Sequence, residues 1–419
     1  GLLGETSLEK YFKDSVSTLN KGFLIHVGID GFKMINENYG WDYGDYVLRE
    51  TASCILSCIS DSQKVYKIAS DEFIILDTTS SDMTTASNLY DHICKHINQF
   101  IEENNFAAVF TISAGILPLP DLSQTGYAEL IKRTDFSLTM AKQHGRNCCY
   151  IFQEEEYQNF LRIREITNEL HSAVNHSFRG FSIIFQPVMD IRQDKLTGAE
   201  VLIRFASKKF GPISPAEFIP LLETSGLIIP TGRWLMREAI TACRKIRTQL
   251  PDFKININVS QVQITNSDVI TDLINEMNAS SLPHTAIVIE LTESILLEKN
   301  EKAQNFLKEL KQAGLQLALD DFGTGYSNFH YLSELHPDIV KIDRGFTSKA
   351  ITDKKEYYLL NQFSNMIHNL GLKLCIEGIE TEDELQKIKL LKPDYCQGFY
   401  WGRSCPYDEF KKHFVDVDR

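Results

Sequence analysis

Between residues 195 and 400, seven short apolar runs each close on a carboxylate, an amide or a lysine: Glu200, Asn258, Glu290, Asp320 with Asp321, Lys341, Glu377 and Gln397. Runs such as Ile287–Ile289, Leu315–Leu319, Asp338–Val340 and Leu372–Cys375 read as buried parallel strands, with amphipathic helical stretches between them. That alternation predicts a (β/α)8 barrel of the TIM type. In such barrels the C-terminal strand ends form the mouth where chemistry takes place, so polar residues there point to a site rather than to stability. Any one of them alone is as readily a helix cap. Four or five carboxylates converging on one mouth repel one another unless cations neutralise them, because an unpaired buried carboxylate is costly. The cluster therefore implies metal.

Composition narrows the rest. A chain of 419 residues with 43% hydrophobic content suggests two or three globular domains, each able to bury a core. Lys and Arg total 43 against 56 Asp and Glu, and a net charge of −13 argues against a nonspecific DNA binder. A small anionic substrate remains compatible where metal ions or local basic groups offset the field. None of the nine cysteines has CxxC zinc-site spacing; Cys54 and Cys58 share one helical face, and all read as reduced core thiols. No apolar run approaches the roughly 18 to 20 residues that cross a bilayer, and no signal peptide is visible. The expectation is a cytoplasmic segment without a membrane span. Its abrupt start at Gly1 leaves room for an upstream sensor or membrane anchor.

Along the chain, residues 1–152 alternate helix and strand signals: strand Phe23–Ile29, helix Asp42–Ile59, a hairpin of Val65–Ile68 and Phe73–Leu76, and strand Val109–Ser113. This predicts a first α/β domain. Residues 153–178 carry apolar positions Phe160, Leu161, Ile163, Ile166, Leu170 and Val174 near helical spacing, which predicts a connecting helix. The barrel then occupies 179–419, with a first strand Ser182–Gln186 halted by Pro187.

The barrel half carries Phe185-Gln186-Pro187, Gly198-Ala199-Glu200-Val201-Leu202-Ile203-Arg204, Asn256-Ile257-Asn258-Val259-Ser260 and Glu290-Leu291-Thr292-Glu293. It continues with Asp320-Asp321-Phe322-Gly323-Thr324-Gly325, Lys341-Ile342-Asp343, Glu377-Gly378-Ile379-Glu380 and Gln397-Gly398-Phe399. In this order they resemble the EAL family of cyclic di-GMP phosphodiesterases. The resemblance implies metal-dependent hydrolysis of cyclic di-GMP to 5′-pGpG, with two Mg²⁺ or Mn²⁺ ions per barrel. It also implies roles. Glu200, Asn258, Glu290 and Asp320 would hold the first metal, and Asp320, Asp321 and Glu377 the second. Glu377 is also the candidate general base, and Lys341 would hydrogen-bond the attacking water. Gln186, Arg204 and Gln397 are candidate substrate contacts, with scaffolding the lesser alternative for the two glutamines. Glu293 and Glu380 would support the metal-binding loop behind the first contacts. The signature tripeptide reads Glu200-Val201-Leu202 in place of Glu-Ala-Leu, and the loop continues Tyr326-Ser327-Asn328-Phe329 where the family more often has Ser-Leu. A homodimer through the barrel is a further implication of the family.

The first half resembles the GGDEF family of diguanylate cyclases, in degenerate form. The hairpin signature reads Ala69-Ser70-Asp71-Glu72-Phe73, with side chains at both glycine positions, and Gly28 replaces the first metal aspartate, two residues before Asp30. Trp41 stands where a histidine is usual, and the inhibitory Arg-x-x-Asp site reads Ser60-Asp61-Ser62-Gln63, so product inhibition there is not expected. Asn36 and Asp45 remain as candidate guanine contacts, and Lys142 and Arg146 as candidate phosphate contacts. The expectation is a domain that does not cyclise GTP, and either binds it weakly or serves dimerisation and regulation. Two other functions stay open: a noncatalytic cyclic di-GMP receptor, and residual cyclase activity.

Overall fold

The central strand of the first domain, Phe-Leu-Ile-His-Val-Gly-Ile, is buried along its whole length, as a strand covered on both faces must be. The computed structural model describes residues 2–15, 21–104, 108–119, 125–292, 301–323 and 336–416. It divides into two units, Gly1–Arg162 and Ile163–Arg419. The division falls within the helix Glu154–Asn175, inside the segment expected to connect the domains.

The first unit is built on β1 (Leu3–Gly4), β2 (Phe23–Ile29), β3 (Gln63–Lys67), β4 (Glu72–Asp77), β5 (Ile112–Pro118) and β6 (Cys149–Ile151), in the order β1-β3-β4-β2-β5-β6. β2 runs antiparallel to both β4 and β5. Its period of two serves two cores. Phe23, Ile25, Val27 and Ile29 share one core with Val47, Ile55, Ile93 and Ile97 of the helices Trp41–Cys58 and Met83–Glu103. Leu24 shares the other with Leu8, Phe12 and Leu130. The β3–β4 hairpin is where the sequence places it. The strand expected at Val109–Ser113 is instead β5, three residues later. Its middle is Ser113-Ala114-Gly115 because the helix Tyr127–Gln143 lies against it: a Cβ on Gly115 would come within 2.4 Å of the Leu138 backbone nitrogen. Small residues demanded by close packing hide the strand signal.

The second unit is a closed barrel. Its strands are β7 (Phe181–Asp190), β8 (Lys195–Ser207), β10 (Lys254–Asn258), β11 (Ile287–Thr292), β12 (Gln316–Phe322), β13 (Ile339–Ile342), β14 (Lys373–Glu377) and β15 (Tyr395–Gln397). A short β9 (Gly211–Ile213) extends the end of β8. From β8 through β10 to β15 the neighbours are parallel, and β7 closes the ring antiparallel to both β15 and β8. Alternate residues divide the strands: Ile255, Ile257, Ile287, Ile289, Leu317, Leu319, Val340 and Ile376 join the large core that includes the surrounding helices, while Val288, Ala318, Ile339 and Cys375 form a separate small core.

Two expectations about the first strands are corrected. β7 does not stop at Pro187; it runs on to Asp190 and returns as β8 through a tight turn, in which Asp190 Oδ1 accepts from the amides of Arg192 and Gln193 at 2.9 Å each. The pairing of β7 with β15 involves only Met189 and Asp190, so at residue 187 the strand is edge-like and a missing N–H breaks no ladder bond. Nor does Glu200 end its run, because β8 continues to Ser207.

Candidate active site

Lys341 lies in β13 with 1% of its surface exposed, and four carboxylates surround its ammonium. Nζ is 2.8 Å from Glu377, 2.9 Å from Glu290, 3.2 Å from Asp320 and 3.4 Å from Glu200. Each comes from a different parallel strand: Glu200 from β8, Glu290 from β11, Asp320 from β12 and Glu377 from β14. Oxygens of Glu200, Glu290 and Asp320 lie within 4.8 Å of one another.

Neutral donors hold the carboxylates in place. Asn258 Nδ2 donates to Glu200 Oε1 at 2.9 Å and Gln397 Nε2 to Glu200 Oε2 at 2.7 Å. Asn256 Nδ2 donates to Glu290 Oε1 at 2.7 Å. Glu290 Oε2 and Gln397 Oε1 are buried without a hydrogen-bond partner among the described residues. Buried polar atoms are normally paired, so these two are acceptors in want of a cation or a donor.

The balance of charge differs residue by residue. Burial works against the charge of Glu200, but Lys341 and the hydrogen bonds from Gln397 and Asn258 outweigh it and keep its carboxyl below the ordinary range. Glu290 goes the other way: burial, aided by Glu200 and Asp320, holds it well above that range despite Lys341. Burial pushes Glu377 up to about 7, Lys341 opposing and Asp320 and Glu200 adding. Lys341 overcomes its own burial through these neighbours and is held well above the ordinary lysine value. The site carries more negative charge than one lysine neutralises.

A break in the ladder supplies a further carboxylate. Leu319 pairs with Val340 and Phe322 with Ile342, so Asp320 and Asp321 together face the single residue Lys341. This is a β-bulge. Asp321 takes φ 55°, a left-handed conformation that Asp tolerates better than most residues, and its amide donates to Asp320 Oδ1 at 3.0 Å. Burial, then Asp320 and Asp343, raise the pKa of Asp321. Both aspartates line a cleft of about 330 Å³ with Gln186, Glu200, Glu377, Glu380 and Gln397.

The other expected residues fall as follows. Gln186 is the cross-strand partner of Glu200. Glu380 is paired with Arg344 at 2.6 Å. Arg204 donates to its neighbouring carbonyl of Ile203 at 2.8 Å and lines an adjacent cavity with Asn258, Ser260 and Gln261. Val201 is buried in the outer core, on the strand face opposite Glu200. Glu293 and the loop residues Thr324 to Phe329 lie outside the described residues. Sequence reasoning gave no role to Asn256 or to Arg344, a cleft-lining residue. The period of two in Asn256-Ile257-Asn258 is the signal for Asn256: it puts both amides on one face.

In the first unit, Asn36 lies against Gly44, where a Cβ would meet its Oδ1 at 1.8 Å, and Asp45 is exposed on the next helix. Lys142 Nζ is 3.5 Å from Glu72 Oε1, and a Cβ built on Gly28 would be 3.1 Å from the same ammonium. Arg146 is exposed, in the left-handed turn after the helix Tyr127–Gln143. Asp30 accepts from Thr111 and Ser113 at 2.7 Å each and from the Asn147 amide at 3.2 Å.

Residues 167–404 match the model of the EAL domain, and residues 2–148 that of the diguanylate cyclase, GGDEF domain. The chain is 28% identical over 97% of its length to the bifunctional diguanylate cyclase/cyclic di-GMP phosphodiesterase MucR of Pseudomonas aeruginosa. It is 27% identical over 94% of its length to the cyclic di-GMP phosphodiesterase PdeR of Escherichia coli. It spans 59% of each of these two relatives. A solved structure, the PaMucR phosphodiesterase in complex with c-di-GMP, covers 59% of this chain and 99% of its own at 30% identity with a TM-score of 0.54. The carboxylates clustered by four parallel strands, the closed barrel and the family match agree: the chain belongs to the EAL domain family, with a GGDEF domain preceding the barrel.

Proposed function

We propose that the barrel is a metal-dependent phosphodiesterase that opens cyclic di-GMP to 5′-pGpG. The observation that carries this reading is the set of four carboxylates from four parallel strands around one buried lysine, three of which, Glu200, Asp320 and Glu377, line an open cleft. The relatives named for cyclic di-GMP hydrolysis support the substrate.

The residues fit hard divalent cations. The donors are carboxylate and amide oxygens, which suit Mg²⁺ or Mn²⁺ better than Zn²⁺, and Glu290 Oε2 is a buried acceptor without a partner among the described residues. Glu200, Asn258, Glu290 and Asp320 would hold one ion, and Asp320, Asp321 and Glu377 a second; Asn258 would turn its amide to present Oδ1. Such ions supply charge at the nonbridging phosphate oxygens and acidify a bound water.

The chain's own groups complete the reaction. Glu377 lines the cleft and accepts the proton of the attacking water, while Lys341 donates a hydrogen bond to the attacking oxygen. A new P–O bond forms as the bond from phosphorus to the sugar 3′ oxygen breaks, and the departing 3′ oxygen takes up a proton, leaving a 3′ hydroxyl and a 5′ phosphate. Gln186 and Gln397 stand at the cleft for substrate contacts, and Arg204 in the neighbouring cavity for a second phosphate. Glu380, paired with Arg344, steadies the segment after Glu377.

In the first domain, we read Gly28 and the Ala69-Ser70 turn as loss of cyclisation, with Lys142 held by Glu72 beside the position of the missing aspartate. Asn36, Asp45, Lys142 and Arg146 remain the candidate GTP contacts. Homodimerisation through the barrel is proposed from the family.

The test is incubation of the purified chain with cyclic di-GMP and Mg²⁺ or Mn²⁺, with and without EDTA, followed by nucleotide chromatography. Metal-dependent appearance of 5′-pGpG is expected. Intact dinucleotide that is nevertheless bound would make the barrel a receptor and overturn the reading. GTP in place of the dinucleotide is expected to yield no cyclic product.

A further inference from the structure

Cys58 is the last residue of the helix Trp41–Cys58, and His92 and His96 are one turn apart on the helix Met83–Glu103. One ligand atom from each of the three lies within 4.8 Å of the other two. The cluster belongs to the first unit and is separate from the barrel chemistry.

Three features distinguish it from a chance surface grouping. Spacing of i, i+4 sets two imidazoles on one helical face, and their rings stand at 85° with centroids 4.7 Å apart. Among the described residues neither ring has a hydrogen bond or ion pair to another side chain, while Cys58 Sγ has only Ser57 Oγ, at 3.9 Å. Beneath them, Ile55, Ile93 and Ile97 are buried in one core, so the two helices that carry the donors are locked together. Cys58 and His96 are half-buried and His92 is exposed, which leaves an approach for an ion.

The donor chemistry selects the ion. A thiolate with two imidazoles suits Zn²⁺, Co²⁺ or Cu⁺ and offers little to Mg²⁺ or Mn²⁺. In a tetrahedral zinc site with bonds of about 2.0 to 2.3 Å, ligand atoms are roughly 3.3 to 3.8 Å apart. Side-chain rotation closes the remaining gap. Three protein donors leave a fourth position for water.

We propose that Cys58, His92 and His96 form a site for a zinc-class transition-metal ion, which clamps the end of one helix to the middle of the next. The sequence hides it because Cys58 is far from the histidines along the chain and has no CxxC partner.

The experiment uses the full chain, stripped with EDTA and titrated with Co²⁺ in the absence of oxygen. A thiolate-to-cobalt charge-transfer absorption that saturates at one equivalent is expected, reversed by Zn²⁺ and unaffected by Mg²⁺. Cys58→Ser is expected to lose the absorption, and His92→Ala or His96→Ala to weaken Co²⁺ binding by at least about tenfold, in keeping with the loss of a direct ligand. Asp320→Asn, which alters the barrel cluster, is expected to keep it. Circular dichroism of each variant checks the fold. Absence of the absorption in the unaltered chain, or its survival in Cys58→Ser, would overturn the proposal; the second result would assign it to another thiol, such as Cys375 near the barrel carboxylates.

Discussion

Without the Lys341 ammonium, Glu290 would keep the Asn256 amide as its one donor among the described residues and stand among three other carboxylates. Breaking a buried ion pair by removing one partner typically costs about 3 to 5 kcal/mol. Lys341→Met is therefore expected to lower stability in EDTA by that order, read by urea denaturation, and Mn²⁺ is expected to restore more stability to this variant than to the parent. Hydrolysis by Lys341→Met should fall by at least about a hundredfold, the size associated with losing a positioned donor at a reacting oxygen. Glu200→Ala and Asp320→Asn should reduce hydrolysis at least as far, since the first removes a carboxylate from the first ion's donors and the second removes the charge of the carboxylate assigned to both ions; unchanged turnover in either would refute the mechanism. Val201 makes a contrasting case. It is buried on the opposite face of β8 from Glu200, so Val201→Ala is expected to alter packing, with turnover within about threefold of the parent and stability lower by about 1 to 3 kcal/mol for lost methyl groups.

At the scale of elements, β2 and β4 are stitched by a polar contact inside an apolar sheet: the His26 ring donates to Glu72 at 3.1 Å. That hydrogen bond, with burial opposing it and the charges of His26 and Lys142 assisting, pushes the Glu72 carboxyl down to about 2. Its value in an unfolded chain is about 4.3. The contact thus contributes its full stability above that pH and loses it as pH falls toward 2. The difference in urea midpoint between the parent and Glu72→Gln is expected to shrink steadily from pH 5 to pH 2.5. A difference that stays constant would show that the carboxylate charge is not what matters. Strands such as β11, β12, β13 and β14 were legible in the sequence because strands covered on both faces leave short apolar runs, and the polar residues in or after those runs mark the mouth. Direction was not legible. An antiparallel β7 has the same apolar content as a parallel one, and Pro187 reads as a stop unless its unpaired flank is known. β5 was displaced for the opposite reason, its residues being chosen small by a neighbouring helix.

For the whole molecule, each unit has its own core, and the barrel buries Cys243, Cys375, Cys396 and Cys405 while the five cysteines of the first unit are half-buried. Thiol labelling during thermal melting therefore reads the units separately. Mn²⁺ is expected to delay labelling of the four barrel cysteines, because an ion that binds only the folded barrel stabilises it by mass action. Labelling of Cys94, Cys148 and Cys149 should not change. Equal protection of all nine would mean that Mn²⁺ acts elsewhere. The oxygen donors of the site and Lys341 were legible as residue types; that one ammonium touches all four carboxylates, and that Asn256 stands behind Glu290, required the barrel to be closed. The bulge at Asp320 and Asp321 carries a consequence for how this site can change over time. In a regular strand consecutive side chains alternate between inside and outside, so adjacent aspartates can serve one mouth only where the chain has miscounted by one. The number of acidic arms is thus an integer written in the backbone. Asp321→Asn keeps that integer and removes only a charge, whereas deletion of either residue would restore an even ladder, preserve the fold and leave a barrel one arm short.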